Sequence, residues 1–160
     1  SVLQSFESFF KVDPPLRPDE HVQSLIEGLK DDTIGIISSD HQPYATEKKD
    51  RELDLVPFGI VGLETLLPIC IQTLIKPGHL TWPQLVSKLT TGPAALLGIQ
   101  KGTLAPGADA DVTIIDPEIE WTIDPADFRS KSRNTPFGGR QVRGRAETVI
   151  VSGEIRYSAE

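Results

Sequence analysis

The sequence predicts an α/β fold built on a parallel sheet, followed by a small β portion. Three observations carry that expectation. The run Thr33-Ile34-Gly35-Ile36-Ile37-Ser38-Ser39-Asp40-His41 has the length and apolar character of a buried parallel strand. A helical pattern precedes it and a short extended run precedes the helix, which together read as one βαβ unit. From Gln100 onward, Pro, Gly and alternating β-branched residues replace the helical spacing. The predicted parallel sheet is open or closed.

Each element has a local reason. Phe9-Phe10-Lys11-Val12 reads as a strand halted by Asp13-Pro14-Pro15, because proline drives the preceding residue out of helical space. Pro18-Asp19-Glu20 suits a helix start, with acidic side chains at the positive end of the dipole. Val22, Leu25, Ile26 and Leu29 then recur at helical spacing and are expected to face the core. Residues 41–59 show no convincing period, and Glu47-Lys48-Lys49-Asp50-Arg51-Glu52 reads as a solvated surface loop. Gly62 to Ile75 is apolar almost throughout and predicts a buried helix despite Pro68. Thr81 caps a further helix with Leu85, Val86 and Leu89 as its apolar stripe, and a third short helix over 93–97 ends at Gly98. Strands are expected over 111–116, 121–123 and 148–151, with a hairpin return through Ser152-Gly153 to Tyr157. The basic residues from Arg129 to Arg145 lie among Ser, Asn, Gly and Pro and read as loop. A boundary is placed near residue 100, dividing 1–99 from 100–160.

Composition excludes several classes. The chain has 160 residues, enough for one domain with a sizeable core, and an ordinary apolar fraction of 38%. A net charge of −7 with no basic stripe argues against a nucleic-acid surface. One cysteine rules out an internal disulfide framework and suggests a reducing, cytoplasmic setting. No apolar run reaches the ~18 residues of a membrane span. A chain that opens on Ser-Val-Leu-Gln and contains no Met is expected to be a fragment or a processed product.

The chemistry concentrates at Asp40-His41. At the C-terminal end of a parallel strand, loops converge on one mouth, so Asp40 is placed to bind a metal or move a proton. The plainer alternative is that it caps the following turn. A catalytic zinc centre wants about three protein ligands, and the chain offers His21, His41, His79 and Cys70 without any His-x-His pair. His21 and His79 read as solvated, and Cys70 as a buried small hydrophobe. The chain carries a piece of a metal site.

Four stretches, taken together, resemble the C-terminal part of a dihydroorotase of the amidohydrolase superfamily. Lys11-Val12-Asp13-Pro14-Pro15-Leu16-Arg17 is similar to that family's Lys-Val-Asn-Pro-Pro-Leu-Arg. Ser39-Asp40-His41-Gln42-Pro43-Tyr44 resembles its Asp-His-Ala-Pro-His motif. Pro57-Phe58-Gly59-Ile60-Val61-Gly62-Leu63-Glu64-Thr65 is almost the family sequence. Lys101-Gly102-Thr103-Leu104-Ala105-Pro106-Gly107-Ala108-Asp109-Ala110-Asp111, continued by Ser132-Arg133-Asn134-Thr135-Pro136-Phe137, resembles the superfamily's tail signature.

The resemblance implies the last strands and helices of a metal-dependent (β/α)8 TIM barrel plus the C-terminal share of a small β-sandwich subdomain. It implies zinc-dependent, reversible cyclisation of N-carbamoyl-L-aspartate to L-dihydroorotate, with Asp40 as zinc ligand and general base and acid. Asp13, Tyr44, Phe58 and Gly59 fall on substrate-contacting positions. The family's remaining metal ligands lie earlier in its sequence, so the chain alone is expected to be inactive. Two departures matter: Asp13 replaces an Asn and Tyr44 replaces a His, and an ionised Asp13 would repel an anionic substrate. These departures keep open a non-catalytic scaffold associated with aspartate carbamoyltransferase. A hydantoinase or allantoinase relative is a further alternative. Open strand edges and bare apolar faces at Ile34, Ile36 and Leu66 predict self-association.

Overall fold

A computed structural model describes residues 8–159. Five helices precede a three-stranded antiparallel sheet. α1 (Asp19–Lys30) begins after Pro18 with Asp19 and Glu20 in its first turn and Lys30 in its last, which complements the helix dipole at both ends. α2 (Thr46–Lys49) is a single turn. α3 (Leu66–Cys70) runs on as a π-helical turn over Ile71–Ile75, closed by the Lys76 N–H donating to the Ile71 carbonyl at 2.9 Å. Pro68 is tolerated because it lies in the first turn, where its missing N–H would have had no helical partner. α4 (Trp82–Leu89) starts at Thr81, whose backbone N–H donates to Gln84 Oε1 at 2.9 Å. α5 (Thr91–Leu97) ends at Gly98 in the left-handed conformation, as its sequence requires.

The sheet comprises β1 (Val112–Thr122), β2 (Gln141–Val151) and β3 (Glu154–Ser158), in the order β1-β2-β3. β1 breaks register between Asp116 and Glu120, where Pro117 cannot donate to the ladder. β2 is longer than its sequence suggests. Gln141 to Thr148 belongs to it, and the basic residues Arg143 and Arg145 are strand residues rather than loop. Arg143 pairs across the strands with Glu118 and Glu120, and the Arg145 guanidinium lies 5.7 Å from the Trp121 ring centre. Alternation of Arg with small residues hides a strand whose outward face is charged.

Two apolar clusters share α3. Val61, Ile123, Phe128 and Val142 pack with Ile69, Trp121 and Phe137 on one side. Cys70, Leu74, Leu80 and Leu85 pack with Ile26, Leu29, Ile37 and Leu66 on the other. Gly144 in β2 lets the helix come close: a Cβ there would stand 2.4 Å from Ile71 Cδ1, and its φ of +85° suits only glycine.

Three expectations are corrected. No parallel sheet forms among the described residues. Ser8–Phe10 is a 3₁₀ turn, and 33–40 has no ladder; a lone parallel bridge joins His41 to Ile60. A strand exists only with a partner beside it, and this chain supplies none to 33–40. The β portion contributes one antiparallel sheet. The α1 stripe is only half covered: Ile26 and Leu29 join a core, whereas Val22 and Leu25 stay 40% and 51% exposed. The 47–52 charge run is not uniformly solvated, because Lys49 is 1% exposed.

Ile34, Ile36 and Leu66 are half-buried rather than bare. Leu96, Leu97, Ile99 and Leu104 are among the exposed large apolar residues.

Candidate active site

Two turns meet at the end of the 33–40 segment. The first carries Asp40 to Tyr44, the second Pro57 to Gly62. The His41–Ile60 bridge aligns them, and the Gln42 N–H donates to the Ile60 carbonyl at 2.8 Å. Asp40 is exposed and sits at φ +43°, in the left-handed region that Asp tolerates better than most residues. The Gln42 amide Nε2 donates to both Asp40 carboxylate oxygens, at 2.9 Å each. His41 is half-buried, and its Nδ1 accepts from the backbone N–H groups of Gly62 (3.1 Å) and Leu63 (3.4 Å). That arrangement leaves the ring proton on Nε2.

Gly59 packs directly on Gln42. Its φ is +114°, and a Cβ there would lie 2.5 Å from Gln42 Oε1, so no side chain fits. The Gly59 N–H donates to the Lys11 carbonyl at 2.9 Å, which brings the 11–13 segment to the same place. Phe58 is 48% exposed, with Lys11 Nζ 4.8 Å from its ring centre. Asp13, two residues on from Lys11 in the chain, is exposed. The structure therefore gathers Asp40, Tyr44, Phe58 and Gly59 into one cluster, with Lys11 bonded to it.

Two groups in the cluster escape a reading of the sequence. Lys49 buries its ammonium against the carbonyls of Pro57 (3.0 Å) and Ser8 (3.3 Å), beneath the Tyr44 ring at 5.8 Å. Burial lowers its pKa first, and the nearby Lys11 charge adds to the effect. Asn134, 3% exposed, reaches in from the segment between β1 and β2. Its Nδ2 donates to the Gln42 carbonyl (3.0 Å) and the Gly59 carbonyl (3.2 Å), and its Oδ1 accepts from the Tyr44 N–H (3.2 Å). Its partners stand 75 to 92 residues away in sequence, so no local spacing signals it.

The other sequence candidates lie apart. His21 is exposed on α1 and His79 is half-buried after the Gly78 turn. Cys70 is buried in a core, where desolvation pushes its thiol pKa to about 11. Among the described residues no group of three or more His, Cys, Asp or Glu side chains converges on a common point. Asp40 offers one carboxylate, already engaged by Gln42, so this chain's residues do not by themselves fit a metal centre.

The amidohydrolase family model matches residues 12–156, and the chain belongs to that family. It is 51% identical over 150 residues to the dihydroorotase of Pelotomaculum thermopropionicum, covering 94% of this chain and 35% of that protein. It is 47% identical over 152 residues to the dihydroorotase of Acetivibrio thermocellus, covering 95% of this chain and 36% of that protein. Among solved structures, L-hydantoinase (dihydropyrimidinase) from Arthrobacter aurescens superposes with a TM-score of 0.89 at 33% identity, over 96% of this chain and 35% of that one. The chain thus spans about a third of the length of the relatives it matches. Its backbone follows an α/β amidohydrolase even where the ladder is absent.

Proposed function

We propose that this chain is the C-terminal part of a dihydroorotase, covering the end of the barrel (1–99) and a share of the small β subdomain (100–160). The reaction is reversible ring closure of N-carbamoyl-L-aspartate to L-dihydroorotate. The observation that carries the reading is the packing of the Asp40–Tyr44 turn against the Phe58–Gly59 turn. Gln42, bonded to Asp40 and packed on Gly59, links the two turns and supports a substrate site there.

Asp40 accepts and returns the proton that moves when the ring amide opens or closes, a role suited to an exposed carboxylate within reach of bound substrate. Phe58 and Gly59 line the substrate. The Gly59 N–H and carbonyl are both bonded internally, so direct backbone contact falls to Phe58. Tyr44 donates through its hydroxyl, and Asp13 sets the charge at the edge. Zinc is the proposed cofactor, held mainly by ligands outside this chain. The setting is cytoplasmic, and no helix among the described residues is long and apolar enough to cross a membrane. The exposed Leu96, Leu97, Ile99 and Leu104 support self-association of the isolated chain.

A second reading, a non-catalytic scaffold bound to aspartate carbamoyltransferase, draws support from the Gln42 clasp on Asp40 and from Asp13. One experiment separates them. Dihydroorotate hydrolysis by the full-length protein, lost in Asp40→Asn with zinc content retained, supports the enzyme. A wild-type full-length protein without turnover at saturating zinc supports the scaffold.

A further inference from the structure

We propose that Asn134, with Ser132 beside it, is a positioning residue that holds the Asp40–Tyr44 turn and the Phe58–Gly59 turn in one register for catalysis. The inference rests on the dihydroorotase reading and adds to it a residue that never meets substrate.

The geometry uses the amide to its full capacity. A carboxamide has two N–H donors and two acceptor lone pairs. Nδ2 spends its two on the Gln42 and Gly59 carbonyls. Oδ1 shares the Tyr44 N–H with Ser132 Oγ and stands 2.6 Å from that hydroxyl, whose one hydrogen is shared with the Tyr44 carbonyl. The Ser132 hydroxyl oxygen also accepts from the Tyr44 N–H at 3.1 Å. The Asn134 main-chain carbonyl accepts from Val61 N–H at 3.0 Å, which ties the same residue to the far end of the second turn. Each tethered residue neighbours the chemistry: Gln42 clasps Asp40, Gly59 follows Phe58, and Tyr44 closes the first turn.

Neither aspartate nor leucine substitutes. Aspartate would aim a carboxylate oxygen at two carbonyl oxygens, and a leucine would leave all of these partners unpaired in a buried place. A displacement near 1 Å at reacting groups can cost about 100-fold in rate. A clamp that fixes both turns therefore acts on turnover through Asp40 and Phe58.

The test uses the full-length enzyme, with Asn134→Asp compared against Leu80→Ala, a core variant matched in thermal midpoint. Asn134→Asp is expected to lower kcat about 100-fold, leave KM within about threefold and leave bound zinc unchanged, while Leu80→Ala keeps kcat. Equal kcat loss in the two variants overturns the proposal, because stability alone then explains it. If Asn134→Asp does not fold, Ser132→Ala replaces it: a kcat loss near fivefold supports the clamp and an unchanged kcat overturns it. Hydrogen exchange at the Tyr44 amide is read alongside. If wild type lacks dihydroorotate turnover, the dihydroorotase reading fails on its own. Lost protection of Tyr44 in the variant then still supports the clamp, and retained protection overturns it.

Discussion

Gln42 closes its side-chain amide over Asp40, donating to both carboxylate oxygens at 2.9 Å. The clasp keeps the carboxylate oriented and fills the side between its two oxygens. A hydrogen bond to a charged group contributes about 1.5–3 kcal/mol net, and a metal that chelated both oxygens would displace the clasp. Gln42→Ala in the full-length protein is therefore expected to tighten zinc binding about tenfold. Chelator competition measures it; unchanged or weaker binding would show that the clasp helps hold the metal.

Gly59→Ala tests the closeness of the two turns. The new methyl would meet Gln42 Oε1 at 2.5 Å and Gln42 Cβ at 2.6 Å, at a φ of +114°. Strain and displacement together should cost about 3 kcal/mol or more. Gly78→Ala is the control, since its φ of +78° is strained but nothing lies within 4 Å of the added Cβ. Its cost should stay near 1–2 kcal/mol. Urea midpoints of the two variants decide it, and equal losses would mean that backbone conformation, not crowding, sets the cost.

Cys70 should be inert in the native state. It is buried, and desolvation holds its thiol near a pKa of about 11. At pH 8 its thiolate fraction is then on the order of 0.1%, and attack on an aromatic disulfide reagent should be slow. Unfolding in urea should restore one reactive thiol per chain. Rapid labelling without denaturant would mean that α3 opens readily.

The helices were legible because their ends carry local chemistry. Thr81 with Gln84, Gly98, and the acidic first turn of α1 each mark a boundary that the structure keeps. The 33–40 strand was not legible as it stands, because a parallel strand is a relation between segments and its partners are not in this chain. β2 was hidden for a different reason. Arg143 and Arg145 read as loop residues until Glu118, Glu120 and Trp121 are seen beside them. At the site, Asp40, Phe58 and Gly59 announce themselves by motif. Asn134 sits inside a quoted motif, yet its importance lies wholly in contacts across the fold.

Lys49 gives a pH signature with a defined sign. Burial depresses its folded pKa below the usual 10.5, so the folded state binds fewer protons than the unfolded state just below that value. Stability must then rise with pH across the window between the depressed value and 10.5. The contribution is fully present above 10.5 and lost as pH falls through the folded pKa. Lys101 acts in the opposite sense and in another window: its bonds to Asp109 and Asp111 raise its pKa, so its contribution is lost only above 10.5. Lys49→Met should remove the first slope and leave the second. The check is the difference in urea midpoint between wild type and Lys49→Met, followed from pH 8 upward at about 0.5-unit steps. A difference that stays flat up to 10.5 would show that Lys49 titrates alike in both states, and that water reaches its ammonium beneath Tyr44.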